Sequence, residues 1–433
     1  MKKRIAIIGM GASGQAAAKL ALMQDAEVET FDDRKNAPTV DGATSYYGID
    51  ATQRLCAHDL IVISPGIPLA HPMFDAAKAQ NIPILSELAF AAQYINIPVL
   101  AITGTNGKSS TTWFTAQFLK QAGKNPFVGG NFGTALSELV LHPWSADGNP
   151  YDIAVVEVSS YQMECPGKFR PHAGVILNLT PDHLARHKTM DVYAEHKRRI
   201  FAKQRLDEYA ISPINDARLH AKGSAQQLWI DAFPGAKIEQ KSIVLQGTPT
   251  EGSISLENNP IFGAHNEQNL MAALVLCSTV GIAPQTLTLS TLKPLAHRLE
   301  HIPSTDGLCW INDSKATNVE ATMAGIAGAP SPQILLLGGE GKEGADYTAL
   351  LPLIKERVHT VICFGAERDI IQEQLPAAIS CVSLDEAISK ARSIAQKGDN
   401  IVLSPACASF DAFSNFVERG LYFASLVRGV PHE

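Results

Sequence analysis

Residues 98–110 read PVLAITGTNGKSS, an apolar run followed by a glycine-rich loop and a Lys-Ser pair. The run is long enough for one buried strand, and the helix-like segment TTWFTAQFLK follows the loop directly. A strand, a glycine-rich loop and a helix form the usual phosphate-binding arrangement, in which loop amides and a lysine contact phosphate oxygens. The segment therefore predicts a parallel α/β sheet with a nucleotide site at its edge.

The loop departs from the usual motif G-x-x-x-x-G-K-S/T. The first glycine of that motif would stand where the chain has Ile102, and the glycine is Gly104 instead. Lys108 still offers a positive charge to the β and γ phosphates, and the Ser109 hydroxyl suits Mg²⁺. The sequence thus predicts an ATP-type site of a variant kind.

The same alternation of short apolar runs and helix-like segments continues through the chain, which indicates mostly parallel sheets flanked by helices. Breaks at NIP (96–98) and LKPLAHR (292–298) predict three α/β domains, near 1–97, 98–296 and 297–433. The outer two are expected to be Rossmann-like and the central one P-loop ATPase-like. Between 225 and 265, SIVLQ and GSISL alternate in polarity and predict added antiparallel strands.

Bulk composition excludes several classes of protein. The chain has 433 residues and a formal net charge of -7, which argues against nucleic acid as the main partner. No stretch of 18 apolar residues occurs, and MKKRIAIIGMG resembles a first strand more than a signal peptide. Seven cysteines without a C-x-x-C pair are typical of reduced thiols. We expect a cytoplasmic protein without a membrane span, whose basic run HKRRIFAKQR (196–205) is a solvated helix face.

The N-terminal segment GMGASG (9–14) satisfies G-x-G-x-x-G after a strand, with Asp32 and Asp33 about twenty residues later. This pattern predicts a diphosphate site, either for a dinucleotide or for a nucleotide-sugar, and its alternative is a tight turn without a ligand. A nicotinamide-dependent oxidoreductase would fit this motif but would leave the Lys108 loop unexplained.

Candidate site residues also follow other strands. DIAVVEVSS ends near Glu157, a carboxylate suited to Mg²⁺ beside the loop, and NLTPDHLARH places Asp182 and His183 at a strand end. His183 is expected to contact metal or substrate, although a loop histidine bonded to backbone would look the same. In the last third, INDSKATN (311–318) could be a binding cluster or a surface turn.

Two further motifs are not expected to bind a nucleotide or to supply a nucleophile. GGEGK (338–342) resembles a second phosphate loop, but Glu343 stands where serine or threonine is needed. Lys342 could still bind a carboxylate. Cys407 has no positioned base nearby and is expected to be a small buried residue.

Taken together, TGTNGKS, INDSKATN and SPACASFDAFSNFVERG (404–420) resemble the Mur ligase family along the whole chain. Within that family, the last two segments look like those of members that add D-glutamate to UDP-N-acetylmuramoyl-L-alanine. The resemblance implies an ATP-dependent amide-forming ligase that uses Mg²⁺, an acyl-phosphate intermediate, small-molecule substrates (this UDP-sugar, D-glutamate and ATP) and a monomer. It also implies closure between the domains that hold ATP and glutamate.

The resemblance assigns roles residue by residue. The UDP-substrate residues would be Gly11, Ala12, Ser13, Asp32, Asp33, Arg34, Gly66, Asn131 and His183. The ATP residues would be Gly104, Thr105, Asn106, Gly107, Lys108, Ser109, Ser110, Asn266, Asn269, Arg298 and Asp313. The glutamate residues would be Lys315, Thr317, Lys342, Ser409 and Phe416. The metal shell would be Ser109, Glu157, His183 and, if carbamylated, Lys197. The catalytic residues would be Lys108, His183 and Lys197.

Two other functions stay open at this point. A nucleotide switch or binding protein would hold ATP without joining anything, but it would not need the lysines and hydroxyls of the last third. A related ligase could use another amino acid such as L-glutamate, because stereochemistry is not legible in a sequence.

Overall fold

The structure, a computed structural model, describes residues 2–48, 52–142, 150–261, 263–342 and 344–429. Contacts divide the chain into two compact units. One unit comprises Met1–Asn258 with Gln268–Leu289, and the other comprises Asn259–Glu267 with Ser290–Glu433. The first unit contains two sheets and the second contains one.

The N-terminal sheet is wholly parallel, with strand order β3-β2-β1-β4-β5. Its strands are β1 (Arg4–Ile8), β2 (Glu27–Asp32), β3 (Thr44–Tyr47), β4 (Leu60–Ile63) and β5 (Ile84–Ser86). Its helices are α1 (Ala12–Met23), α2 (Thr52–Leu55), α3 (Asp75–Ala79) and α4 (Glu87–Ala91). The strand order reverses between β1 and β4, and such a switch point opens a crevice for ligands at the carboxyl ends of the strands.

The central sheet has nine strands in the order β14-β13-β12-β11-β10-β9-β6-β8-β7. The strands are β6 (Val99–Thr103), β7 (Pro126–Gly130), β8 (Ile153–Glu157), β9 (Ala173–Ile176), β10 (Tyr209–Pro213), β11 (Gln226–Ile230), β12 (Gly235–Glu239), β13 (Ser242–Gln246) and β14 (Gly252–Ser255). The helices are α5 (Lys108–Gln121), α6 (Leu136–Leu141), α7 (Leu184–His187), α8 (Met190–Arg198) and α9 (Ala264–Ser278). The predicted antiparallel addition is confirmed for the pairs β12–β13 and β13–β14, whereas β11, in the same stretch of sequence, pairs parallel with β10 and β12.

The sheet of the second unit has the order β15-β16-β20-β17-β18-β19, parallel except for the edge strand β15. Its strands are β15 (Glu300–Ile302), β16 (Cys309–Asn312), β17 (Gln333–Gly338), β18 (Val358–Phe364), β19 (Ile379–Ser380) and β20 (Asn400–Leu403). Its helices are α10 (Val319–Gly328), α11 (Leu351–Arg357), α12 (Arg368–Gln374), α13 (Leu384–Ile394) and α14 (Phe416–Arg428).

The apolar runs in the sequence become the central strands of these sheets. Every residue of β4, β6, β8, β17 and β20 is buried, because helices cover both faces of a parallel sheet. The predicted α/β fold with three mostly parallel sheets is confirmed, while the exact domain boundaries at 97 and 296 stay a prediction. Within the described ranges, no helix combines the length and apolar character needed to cross a membrane.

Candidate active site

The glycine-rich loop lies between β6 and α5, as the sequence predicts. Gly104 and Gly107 adopt positive φ angles of 153° and 84°, which side chains with a Cβ rarely allow. A Cβ on Gly107 would also overlap the side-chain oxygen of Asn269 on α9. Ser109 and Ser110 are buried in the first turn of α5. The loop thus leads directly into the N-terminus of α5, the end of a helix that attracts phosphate oxygens.

Two segments that are distant in sequence hold this loop in shape. The side chain of Asn178 accepts a hydrogen bond from the Asn106 amide at 2.9 Å and donates one to the Asn106 carbonyl at 3.1 Å. The Thr105 hydroxyl lies 3.2 Å from the Thr180 carbonyl oxygen and 3.3 Å from the hydroxyl of Tyr193 on α8. Hydrogen bonds within the protein therefore hold the shape of the loop.

Two lysines meet at the loop. The Nζ atom of Lys108 donates to the carbonyl oxygens of Gly104 and Thr105 at 3.0 and 2.7 Å, and Nζ of Lys197 donates to Gly104 at 2.7 Å. Lys197 is 1% exposed. Burial lowers its pKa well below 10.5, and the charge of Lys108 adds to this effect. The interpretation of 196–205 as a solvated helix face is therefore wrong for Lys197.

A buried carboxylate faces the same region from β8. Oε1 of Glu157 accepts a hydrogen bond from the Asn131 side chain at 2.8 Å. Oε2 of Glu157 is buried without a hydrogen-bond partner among the residues that the structure describes. A buried carboxylate oxygen is costly to leave unpaired, so this atom is suited to a cation.

His183 begins α7 in a left-handed conformation, with φ 55°. Its backbone amide donates to Asp182 at 2.8 Å, and its Nε2 lies 3.4 Å from the same carboxylate. Its ring packs 4.9 Å from the ring of Tyr161. The Asp182 charge also raises the pKa of Lys197 against the effect of burial. The predicted residues of the central domain thus gather around one loop.

The N-terminal sheet carries a cavity of about 440 Å³ at its switch point. Among the predicted UDP-substrate residues, four line it: Gly11, Asp32, Asp33 and Arg34. Ala12 and Ser13 form the first turn of α1, next to Gly11. The other three predicted UDP-substrate residues, Gly66, Asn131 and His183, are not among its lining residues.

Gly14 and Gly11, two glycines of this turn, differ in the space around them. A Cβ on Gly14 would overlap the carbonyl oxygen of Gly9, whereas a Cβ on Gly11 would meet nothing within 4 Å. Gly14 is therefore required by packing, while Gly11 leaves space beside the cavity. Asp32 accepts hydrogen bonds from the Met10 amide at 2.7 Å and from the Arg34 side chain at 2.9 Å. The hydrogen bond from Arg34 is the main reason that the pKa of Asp32 lies well below its ordinary range.

In the second unit, Asp313 follows β16 and is buried. It accepts hydrogen bonds from the Ser404 hydroxyl at 2.8 Å and the Leu299 amide at 3.3 Å. Burial raises its pKa to about 7, although Ser404 and the nearby charge of Arg298 act in the opposite direction. Arg298 and Asp313, which were both predicted to contact ATP, are thus neighbours. The other predicted ATP residues, Asn266 and Asn269, lie one turn apart on α9.

Four of the five predicted glutamate residues lie in loops that follow strands of the same sheet, and the fifth, Phe416, is the first residue of α14. Nζ of Lys315 lies 4.9 Å from the ring centre of Phe416, at the start of α14. Thr317 is half-buried, Ser409 is buried and Lys342 is exposed. Glu343, on which the rejection of a second phosphate loop rests, lies outside the described residues. Cys407 is buried as predicted, and burial raises the pKa of its thiol to about 11.

Arg419 is a residue that the sequence analysis missed. Its guanidinium is fully buried and donates to carbonyl oxygens of Ser314, Gly338, Cys407 and Ala408, and to the Ser314 hydroxyl. These acceptors follow three different strands. Arg419 thus holds together the loops that carry the predicted glutamate residues. No local signal marks it, since an arginine on a helix is ordinarily exposed.

A second missed group lies beside the central loop. Ligand atoms of Glu164, His187 and His196 lie within 4.8 Å of one another. However, Arg186 donates to both carboxylate oxygens of Glu164, at 2.6 and 2.9 Å. Burial lowers the pKa of His187 to about 4, and the neighbouring His196 adds to this effect. The guanidinium thus supplies the positive charge that a metal would otherwise bring.

The fold and this site define a class: an α/β enzyme that acts on phosphorylated substrates through a variant phosphate-binding loop. Three family models match this chain. Residues 3–86 match the model described as "Mur ligase MurD-like, N-terminal domain", and residues 102–277 match "Mur ligase middle domain". Residues 297–407 match "Mur ligase, glutamate ligase domain". Together with the relatives described next, they show that the chain belongs to the Mur ligase family.

Similar proteins match nearly the full length of this chain. The UDP-N-acetylmuramoylalanine–D-glutamate ligase of Anaeromyxobacter dehalogenans is 37% identical over 98% of this chain and 97% of its own length. The ligase of the same name from Koribacter versatilis is 36% identical, with the same coverage. Among solved structures, the UDP-N-acetylmuramoylalanyl-D-glutamyl-2,6-diaminopimelate–D-alanyl-D-alanyl ligase of Acinetobacter baumannii has a TM-score of 0.61 at 16% identity, covering 98% of this chain and 93% of that one. The MurF ligase of Thermotoga maritima, in complex with ADP, has a TM-score of 0.59 at 15% identity, covering 99% and 96%. These two structures share the fold.

Proposed function

We infer that this chain is an ATP-dependent ligase that adds D-glutamate to UDP-N-acetylmuramoyl-L-alanine in peptidoglycan precursor synthesis. Relatives named for this reaction match 98% of the chain at 36–37% identity. The observation on which the mechanism rests is the meeting of Lys108, Lys197 and Glu157 around the glycine-rich loop.

The reaction joins a carboxylate to an amine, so the carboxylate must first be activated. The alanyl carboxylate attacks the γ phosphorus of ATP, the bond to the bridging oxygen breaks, and an acyl phosphate and ADP form. The amine of D-glutamate then attacks the acyl carbon, loses a proton to a base, and inorganic phosphate leaves. A carboxylate and a triphosphate repel each other. Neutralisation by Lys108 and the loop amides is therefore the main contribution of the protein to the first step.

We propose that Mg²⁺ assists at this site. The donors fit a hard cation, because the buried Oε2 of Glu157 lacks a hydrogen-bond partner among the described residues. Ser109, Glu157, His183 and Lys197 would hold the metal, Lys197 only if carbamylated. The ion would supply positive charge to the β and γ phosphate oxygens. The hydrogen bond from Asn131 keeps the Glu157 carboxylate in its orientation.

Carbamylation of Lys197 is part of this proposal. Attack on CO₂ requires a neutral amine, and burial of Lys197 lowers its pKa well below 10.5. The neutral amine nitrogen would bond to the carbon of CO₂ and release one proton, which leaves a carbamate anion in place of the uncharged amine. An anion at this position would offset the charge of Lys108 and would supply a carboxylate oxygen to Mg²⁺, so its positive neighbours favour the carbamate over a second buried cation beside Lys108.

The remaining assignments follow from the same proposal. The cavity at Gly11, Asp32, Asp33 and Arg34 takes the UDP part, and the loops joined by Arg419 take D-glutamate. The protein would work in the cytoplasm, where ATP and a soluble nucleotide-linked substrate are present, and as a monomer, which the family resemblance implies.

The test is phosphate release from ATP with UDP-N-acetylmuramoyl-L-alanine, Mg²⁺ and bicarbonate. We expect release to require D-glutamate and the product to gain one glutamyl unit in mass. Activity with L-glutamate alone would contradict the stereochemistry but keep the ligase class. ATP hydrolysis that no amino acid stimulates, without a heavier product, would contradict the ligase assignment itself.

A further inference from the structure

Arg186, on the short helix α7, reaches from the central domain to the N-terminal one. Its guanidinium donates to the carbonyl oxygens of Pro65, Gly66 and Ile67, at 3.0, 3.4 and 3.0 Å. These three residues follow β4, so the arginine holds the loop that leaves the N-terminal sheet at its switch point. Its side chain is only 15% exposed, and the contacts are therefore shielded from water.

Glu164 completes this arrangement from the other side. It accepts two hydrogen bonds from Arg186, and its Oε2 accepts a third from the Leu69 amide at 3.1 Å. Burial alone would raise the pKa of Glu164, but the hydrogen bonds from Arg186 and Leu69 outweigh it, and the pKa is lowered. The hydrogen bonds between a planar guanidinium and a carboxylate in this paired geometry are directional as well as strong. Together they hold both ends of the 65–69 segment.

The 65–69 segment is also a wall of the N-terminal cavity. Ile67 and Pro68, with the neighbouring Ser64, line the same cavity as Asp32 and Arg34. A shift of this segment would therefore change the width of the cavity. Because the carbonyl oxygens of residues 65–67 accept hydrogen bonds from Arg186, this arginine sets the orientation of these peptide groups.

Arg186 contacts the site of the chemistry through one aromatic ring. The guanidinium carbon lies 4.0 Å from the ring centre of Tyr161, and that ring packs 4.9 Å from His183. One side chain is thus linked both to the wall of the UDP cavity and to a residue beside the phosphate-binding loop.

We propose that Arg186 is a positioning residue that sets the 65–69 segment for binding of the UDP-linked substrate. The identity of that substrate rests on the proposed function. The arginine acts through the segment and does not contact the reacting atoms, so its loss weakens binding of the UDP part and spares the chemical step. The expected signature is a change in KM for the UDP-sugar with little change in kcat.

The informative variant is Arg186→Lys, which keeps the charge and removes the planar fork. Its matched control is Arg218→Lys, because Arg218 pairs with Asp216 through the same fork on an exposed surface. We expect Arg186→Lys to raise KM for UDP-N-acetylmuramoyl-L-alanine, and Kd for UDP alone, by roughly tenfold, the factor that corresponds to one lost net hydrogen bond. The kcat value should stay within about twofold of the wild type.

Amide hydrogen exchange of the ligand-free protein supplies a readout that needs no turnover. In Arg186→Lys, exchange in residues 64–71 should quicken by about tenfold, while β4 exchanges as in the wild type. The Arg218 control should change neither exchange nor KM. Unchanged exchange in 64–71, or a fall in kcat at constant KM, would overturn the proposal. The exchange and UDP-affinity measurements decide on Arg186 even if the wild type makes no glutamyl product.

Discussion

Glu87 gives the sharpest prediction about stability. It lies in the first turn of α4, is 1% exposed, and its Oε1 accepts a hydrogen bond from the Ser137 amide of α6 at 2.6 Å. Burial raises its pKa to about 7, and the nearby charge of Glu138 adds to this effect. Glu87 is therefore protonated in the folded protein at pH values where a glutamate in the unfolded chain is ionised.

The sign of the pH dependence follows directly. The folded pKa is raised above the unfolded value of 4.5, so the contribution to stability is complete below pH 4.5 and is lost as the pH rises towards 7. The difference of about 2.5 pH units corresponds to about 3.4 kcal/mol. Glu87→Gln replaces the protonated acid by a neutral group of the same shape, which can still accept from Ser137. The variant should therefore exceed the wild type in stability by up to about 3 kcal/mol at pH 8.

The assay is guanidinium denaturation at pH 5 and pH 8, followed by circular dichroism. We expect the wild type to lose stability between these pH values in the transition that unfolds the first unit, and Glu87→Gln to lose much less. The control is Glu257→Gln, which removes one negative charge from an exposed position in the same unit. An equal pH response of wild type and Glu87→Gln would refute the reasoning, because Glu87 would then be ionised in the folded state or in contact with water.

Two further outcomes are expected. Gly14→Ala should lower the unfolding free energy by about 1–3 kcal/mol, because the new methyl group overlaps the carbonyl oxygen of Gly9. Gly11→Ala, with open space around its methyl group, should keep the thermal midpoint and weaken UDP-sugar binding in calorimetry; equal destabilisation of both would contradict this difference. Lys197→Ala should weaken apparent Mg²⁺ affinity by roughly 10–100-fold in phosphate release. The exposed Lys203→Ala should not, and a Mg²⁺ dependence unchanged in both variants would remove Lys197 from the metal site.

The central fold could be predicted because its signals are local. The buried run at 98–103, the glycine loop after it and the helix that follows are covalent neighbours, and they became β6, the phosphate-binding loop and α5. The antiparallel strands between 225 and 265 were predicted for the same reason, since alternation of polarity is a property of one segment. Lys197 shows the limit of local reasoning. Its neighbours His196, Arg198 and Arg199 are basic and partly exposed, and only the packing of α8 against the loop shows that the side chain of Lys197 is buried.

The sequence by itself thus determined the alternation of strands and helices, the glycine-rich phosphate-binding loop, and the segments that end at the candidate site. Only the tertiary structure decided which distant side chains complete that site. Arg186 meets a loop about 120 positions away, and Arg419 meets Ser314 across 105 positions. The physical reason is that a hydrogen bond depends on distance in space and direction, whereas the sequence records only neighbours along the chain.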